Sequence, residues 1–395
     1  MGKKTVINNI ICSVKGGCGK TTLAIKLALS IDAEYHRIME SQGGQKNRNV
    51  CIVDMDIQGT ALRNLLFGIN YKNDTSNSDK KLNESRIAKL TLNDKTSSLK
   101  VEDSDNKTDY VSQFCWSTDN MGYRNGFDVV LASTKESDKN KYRADAAMNY
   151  VPSIQHGTFR EGMRNLLSID ELFARWEEPY EFVIFDMPPH SDNYSDVIFD
   201  CLLDKKHMPK LKCEDVSKQY ELKYSNNLFL VMTEDISQHE VTLEYLEAIL
   251  KSVNNEFDKI FIVSNSIRQW DPPLRDDVEQ NKLWHILPHI VKESDKYENI
   301  RQLTEKITFM EMSVDLDYAR LCCTQDGIIN RLGAGNTGTA EMQDADKTNI
   351  DTMASLWTQC VLADWNGNVL NSSKDKKDEK IDGNEINSLF KILGQ

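Results

Sequence analysis

Lys15-Gly16-Gly17-Cys18-Gly19-Lys20-Thr21-Thr22 sits between two apolar stretches of different character. Ahead of it, Val6 to Cys12 carries Ile7, Ile10 and Ile11 and reads as a strand. Behind it, Leu23-Ala24-Ile25-Lys26-Leu27-Ala28-Leu29 reads as a helix that runs to about Ile31. Strand, glycine turn and helix in that order build an anion site. Glycines let successive N–H groups turn inward, and the helix N-terminus adds its dipole at the same place. A lysine at position 20 can reach the β- and γ-phosphates of a nucleotide, and the Thr21 hydroxyl is placed to ligate Mg²⁺. The pattern G-x-x-x-x-G-K-[ST] is not strictly met, because its first glycine falls on Val14. A second lysine, Lys15, opens the loop instead.

Two further strands end in carboxylates. Val50-Cys51-Ile52-Val53 is short and apolar, as a buried parallel strand is, and runs into Asp54-Met55-Asp56-Ile57-Gln58-Gly59. Asp54 and Asp56 share a face if extended. Phe182-Val183-Ile184-Phe185-Asp186 has the form of a Walker B strand, whose terminal carboxylate holds Mg²⁺ directly or through water. Carboxylates at the C-terminal ends of parallel strands lie at the ligand edge of an α/β sheet.

Lys-Gly-Gly-x-Gly-Lys-Thr-Thr resembles the deviant Walker A motif of the ParA/MinD family of P-loop ATPases, closest to the ParA-type partition ATPases. Asp54-x-Asp56-Ile57-Gln58 is similar to that family's D-x-D-P-Q, with Ile57 in place of proline. Asp186-Met187-Pro188-Pro189 resembles its Walker B continuation. The resemblance covers residues 6–67 and 182–270. It implies that Lys15 crosses a dimer interface to the partner's nucleotide, that Asp56 positions water, and that Asp54 lies on the Mg²⁺ side. It also implies that Asn265, at the end of the strand Ile260-Phe261-Ile262-Val263, contacts adenine. The expected site is therefore catalytic Lys15, Lys20 and Asp56. Gly16, Gly17, Cys18, Gly19, Lys20, Thr21, Thr22 and Asn265 bind ATP, and Thr21, Asp54 and Asp186 surround Mg²⁺.

Composition bounds the partners. Net charge is −13, so the chain is not a general polyanion binder and DNA contact needs a local basic patch. Nine cysteines occur without a C-x-x-C pair, and Cys322 and Cys323 are adjacent. Scattered thiols suggest a reducing, cytoplasmic setting, and neither zinc nor an iron–sulfur cluster is expected. No stretch is long enough to span a bilayer. No signal peptide or leading helix-turn-helix is expected, because Lys3 and Lys4 lead straight into the first strand, and Val6 stands where the myristoylation pattern needs Ser or Thr.

The rest of the chain fills in an α/β alternation. Residues 34–48 read as a polar connection. Residues 70–125 and 203–226 read as polar inserts, the first partly ordered. Phe127 to Ala132 and Leu228 to Met232 read as strands, and Arg164 to Arg175 and Val241 to Val253 as amphipathic helices. His190 reads as a surface histidine. Residues 271–330 read as mixed helix and loop. Their Arg275, Arg301, Lys306 and Arg320, with Arg331, form a solvated surface or a DNA patch. Ala354 to Leu362 closes a single domain of residues 1–370. A charged linker and a short amphipathic helix occupy 371–395.

The expected fold is α/β, a doubly wound, mainly parallel sheet of the P-loop NTPase type with polar insertions. The resemblance implies an ATP hydrolase that forms a homodimer around ATP and Mg²⁺. It further implies nonspecific DNA as the surface held, and an activator of ParB type. The alternatives are a MinD-like membrane switch using the C-terminal helix, or an assembly factor that does not act on DNA. The membrane is the weaker reading, because only Lys391 supplies positive charge in that helix. A scaffold that binds nucleotide without turnover conflicts with intact Lys20, Asp56 and Asp186.

Overall fold

A computed structural model describes residues 2–41, 49–56, 61–67, 111–118, 124–130, 180–189, 199, 203, 220–233, 235, 237–252, 256–266, 291 and 295–313. These contain eight strands: β1 (Gly2–Cys12), β2 (Val50–Asp54), β3 (Val111–Thr118), β4 (Arg124–Val130), β5 (Phe182–Asp186), β6 (Tyr220–Thr233), β7 (Lys259–Ser266) and β8 (Ile307–Ser313). Helices α1 (Lys20–Ser41), α2 (Ala61–Phe67), α3 (Ser237–Ser252) and α4 (Glu298–Gln302) accompany them.

The strands form one sheet in the order β3-β4-β2-β5-β1-β6-β7-β8. Every pairing is parallel except β3 with β4. The sheet is mainly parallel, as the alternation predicts. All five residues of β2 and all five of β5 are buried, which is why both read as unbroken apolar runs.

Each face carries its own core. Leu23, Leu27, Ile31 and Tyr35 of α1 pack with Ile7, Ile52, Ile184 and Phe229. Leu243, Leu246 and Leu250 of α3 pack on the other face with Ile10, Val53, Phe185 and Leu230. Helices on both faces make the sheet doubly wound. Phe229 and Phe261 stack across β6 and β7 with centroids 4.5 Å apart. Burying one such leucine contributes about 1.5–3 kcal/mol.

Several boundaries differ from the sequence reading. Helix α1 runs to Ser41, into the stretch expected to be a connection. No glycine or proline interrupts residues 20–41, and Tyr35 continues the buried stripe. Strand β6 begins at Tyr220, inside the insert expected at 203–226, and pairs with β1 from Gly2↔Tyr220 to Cys12↔Leu230. Asn226, the last residue of the expected insert, and Asn227 after it are buried in the sheet. Asn8 Nδ2 donates to Asn226 Oδ1 at 2.9 Å and Asn227 Nδ2 to Asn9 Oδ1 at 3.1 Å.

Strand β3 lies within the excursion expected at 70–125 and borders the sheet antiparallel to β4, which itself starts at Arg124. Strand β8 lies in the stretch expected to be helix and loop. Strand β3 (VSQFCWST) mixes polar and apolar residues without a period-2 pattern, and β8 (ITFMEMS) alternates only in part, weaker signals than a run buried on two faces. Arg164 to Arg175, His190, Arg275, Arg320, Arg331, Ala354 to Leu362 and residues 371–395 lie outside the described residues. Among the described residues, no helix is long and apolar enough to cross a membrane.

Candidate nucleotide site at the head of the first helix

The loop leaves β1 at Cys12 and enters α1 at Lys20. Gly17 and Gly19 have φ of 79° and 99°, a region open to glycine and strained for other residues. The turn therefore needs glycine at those two positions. Gly16 differs in φ, which is not positive; a Cβ there, as at Gly17, meets nothing within 4 Å among the described residues. Its own chain does not require glycine at 16. Leu23 N–H donates to Gly19 O at 2.9 Å, so the first helical bond of α1 closes directly onto the loop.

Three side chains fasten this backbone. Ser13, fully buried, donates its hydroxyl to Lys15 O at 2.6 Å and accepts from Lys20 Nζ at 3.0 Å. Asn265 Nδ2, from β7, donates to Cys18 O at 2.9 Å. Cys18 Sγ, also buried, lies 4.0 Å from Gln238 Oε1 at the start of α3. Lys15, Gly16 and Gly17 are exposed, Cys18 and Lys20 are buried, and Thr21 and Thr22 are half-buried.

The carboxylates converge on the same edge. Asp54 and Asp186 are direct register partners across β2 and β5, and Ile11, one residue before β1 ends, pairs with Asp186. Backbone bonds Met55 N–H to Asp186 O, 2.9 Å, and Met187 N–H to Ile11 O, 3.0 Å, carry the pairing past the strand ends. Asp54 is buried and its Oδ1 accepts from Asp56 N–H at 3.1 Å, which sets the turn that presents Asp56. Gln58 and Gly59 lie outside the described residues.

Asp186 is a strongly perturbed acid. Burial pushes its carboxyl up to about 7, with the Asp56 charge adding to the rise. A hydrogen bond from Thr21 and the Lys20 charge oppose it. Asp186 Oδ1 is buried with no hydrogen-bond partner among the described residues. An ionised carboxylate held this way calls for a cation. Thr21 and Asp186 give a hard oxygen pair that fits Mg²⁺, which keeps waters and substrate phosphates as its other ligands. Among the described residues no cluster of three or more His, Cys, Asp or Glu forms an all-protein metal cage. Burial also pushes the Cys12 thiol, beneath the loop, up to about 12.

The charge of Lys15 is felt at the start of α3. Asp235 there is held below the usual carboxylate range by the Ser237 hydroxyl and N–H, and the Lys15 charge assists. Every residue expected in the site is thus at the C-terminal edge, from the ends of β1, β2, β5 and β7 and the start of α1. Ser13 and Gln238 were not expected. Ser13 had one signal, a polar residue closing an apolar run.

No family model matches the sequence, and no curated protein matches it. Solved structures do resemble the fold. One is pnob8 ParA, at 12% identity over 89% of this chain and 94% of that one, with a TM-score of 0.45. The neighbours include plasmid partition proteins. One from Borrelia burgdorferi B31, bound to AMPPNP, has 15% identity over 90% of this chain and 100% of that one, with a TM-score of 0.41. Cobyrinic acid a,c-diamide synthase from Mycobacterium smegmatis, with bound ADP and magnesium, has 14% identity over 74% and 83%, with a TM-score of 0.37. The assignment of the site rests on the chain's own loop and strand ends.

Proposed function

We propose that this chain is a Mg²⁺-dependent ATP hydrolase of ParA type. It closes into a homodimer around ATP, holds nonspecific DNA as the dimer, and lets go on hydrolysis. The observation that carries the reading is the buried Asp186 Oδ1, without a partner among the described residues, beside Thr21 at the mouth of a loop whose two positive-φ glycines lead into Lys20.

Each residue has a task in this reading. The N–H groups of residues 16–22 and the Lys20 ammonium hold the phosphates. On binding, Lys20 trades its bond to Ser13 for the β- and γ-oxygens. Thr21 and Asp186 hold Mg²⁺, with Asp54 behind them as the acceptor that fixes Asp56. The metal, when bound, neutralises charge on the phosphates. Asp56 orients the attacking water. Lys15 is exposed, so it is free to serve the partner's nucleotide as an arginine finger does. The empty space over Gly16 leaves room for that partner to approach. The cargo is a plasmid, a chromosome or a protein assembly, and a ParB-type partner with a short basic segment stimulates turnover.

The test is co-sedimentation of Asp56→Ala protein with DNA, in ATP and in ADP, over a salt series. ATP-dependent binding that falls steeply with salt supports the reading. No binding in either nucleotide removes DNA as the surface. The same protein is then tested on liposomes, where binding would favour the membrane switch.

A further inference from the structure

We infer that Asn265 is a positioning residue for the phosphate loop, acting through the Cys18 carbonyl whether or not it also touches a base. The inference rests on the proposed nucleotide site. Asn265 and Cys18 are 247 residues apart in sequence, and β7 is separated from β1 by β6. The bond is nevertheless short, at 2.9 Å from Nδ2 to the oxygen. A carbonyl only accepts, so the amide nitrogen is the atom that faces the loop.

The peptide geometry gives the bond its consequence. Cys18 lies between Gly17 and Gly19, both at positive φ, so glycine freedom flanks its peptides on either side. In a planar trans peptide the C=O and the next N–H point in opposite directions. Holding Cys18 O toward Asn265 therefore turns the Gly19 N–H away from β7, as one donor of the anion nest. The far side of Gly19 is fixed separately, because its carbonyl accepts the first helical bond from Leu23 N–H. Ser13 does the same for the Lys15 carbonyl at the front of the loop. Asn265 completes the set: without it the Cys18–Gly19 plane has no anchor among these three. Its Oδ1 is left as the atom available to a base amino group, so one side chain would link base to phosphates.

The experiment uses a ligand with no base. Inorganic tripolyphosphate with Mg²⁺ is titrated calorimetrically into wild-type protein and into Asn265→Ala, beside ATP and GTP. Loss of one hydrogen bond and the order it imposes predicts about tenfold weaker tripolyphosphate binding, with a loss at least as large for both nucleotides and little change in the Tm of the free protein. Wild-type affinity for tripolyphosphate in Asn265→Ala, with ATP alone weakened, overturns the inference and leaves Asn265 a base contact. Should Asn265→Ala fail to fold, Asn265→Leu keeps the side chain's shape without the donor and carries the same prediction. Tripolyphosphate and ATP both failing to bind wild-type protein would overturn the nucleotide-site reading itself, a result distinct from an unaffected variant.

Discussion

Lys20 Nζ donates to the Ser13 hydroxyl at 3.0 Å, and that hydroxyl donates in turn to Lys15 O at 2.6 Å. One buried serine thus holds Lys20 in place and sets the front of the loop. Lys20 is largely shielded from water, and Ser13 compensates its ammonium in part.

Lys20→Ala is expected to lower ATP affinity at least about 100-fold, since a charge-assisted bond to phosphate is lost. Ser13→Ala should lower it about tenfold, because Lys20 remains but the loop front is released. Titration calorimetry distinguishes the two. Tight ATP binding by Lys20→Ala would remove the loop from the site.

Asp186 makes the free protein's stability pH-dependent in a stated direction. Its carboxyl is raised to about 7 in the fold from an ordinary 3.8. Between those values the folded state binds the extra proton, so this group's contribution to stability is full below about 4 and lost as pH rises through about 7. The loss is on the order of a few kcal/mol. Asp186→Asn in EDTA should flatten urea midpoints over that range. In the wild type, Mg²⁺–ATP binding should release a proton below about pH 7, visible as a buffer-dependent heat.

Glu247 of α3 caps α4 from outside. Its carboxylate accepts from Asn299 N–H at 3.0 Å, Asn299 Nδ2 at 2.6 Å and Ile300 N–H at 3.0 Å. Tyr297, the residue at the cap itself, makes no side-chain cap bond. Glu247→Ala should cost about 1–2 kcal/mol in urea unfolding, and Glu247→Gln less. Nucleotide affinity should not change, because the bonds that fasten the loop come from Ser13 and Asn265 and do not involve Glu247.

How far the sequence carried the reading follows from where each residue sits. Strands β2 and β5 were plain because both of their faces are buried, and the motif residues were plain because the loop is contiguous. Strand β6 was cut short because Asn226 and Asn227 look like loop. They are buried only because Asn8 and Asn9 meet them in register, a fact of pairing and not of composition. Strands β3 and β8 are hard to read because β3 has no period-2 pattern and the partial alternation of β8 is short and borders polar sequence. Ser13 could be suspected from its place beside the loop. The Asn265 bond to Cys18 could not, since only the sheet brings the two together.

Lys15 is exposed, and the residues that fix the loop do not use its side chain. Lys15→Ala should therefore leave ATP binding within about threefold of wild type and unfolding unchanged, as for an exposed position. ATP-dependent dimerisation and hydrolysis should both be lost. Normal hydrolysis by Lys15→Ala would mean that the lysine does not act across an interface.

The most direct test of the account is the mass of Asp56→Ala protein by light scattering, with Mg²⁺–ATP and with Mg²⁺–ADP. The chain is 45.2 kDa. The account predicts twice that mass in ATP and the single-chain mass in ADP, because the γ-phosphate completes the interface. A single-chain mass in both nucleotides, with ATP shown to be bound, would contradict it.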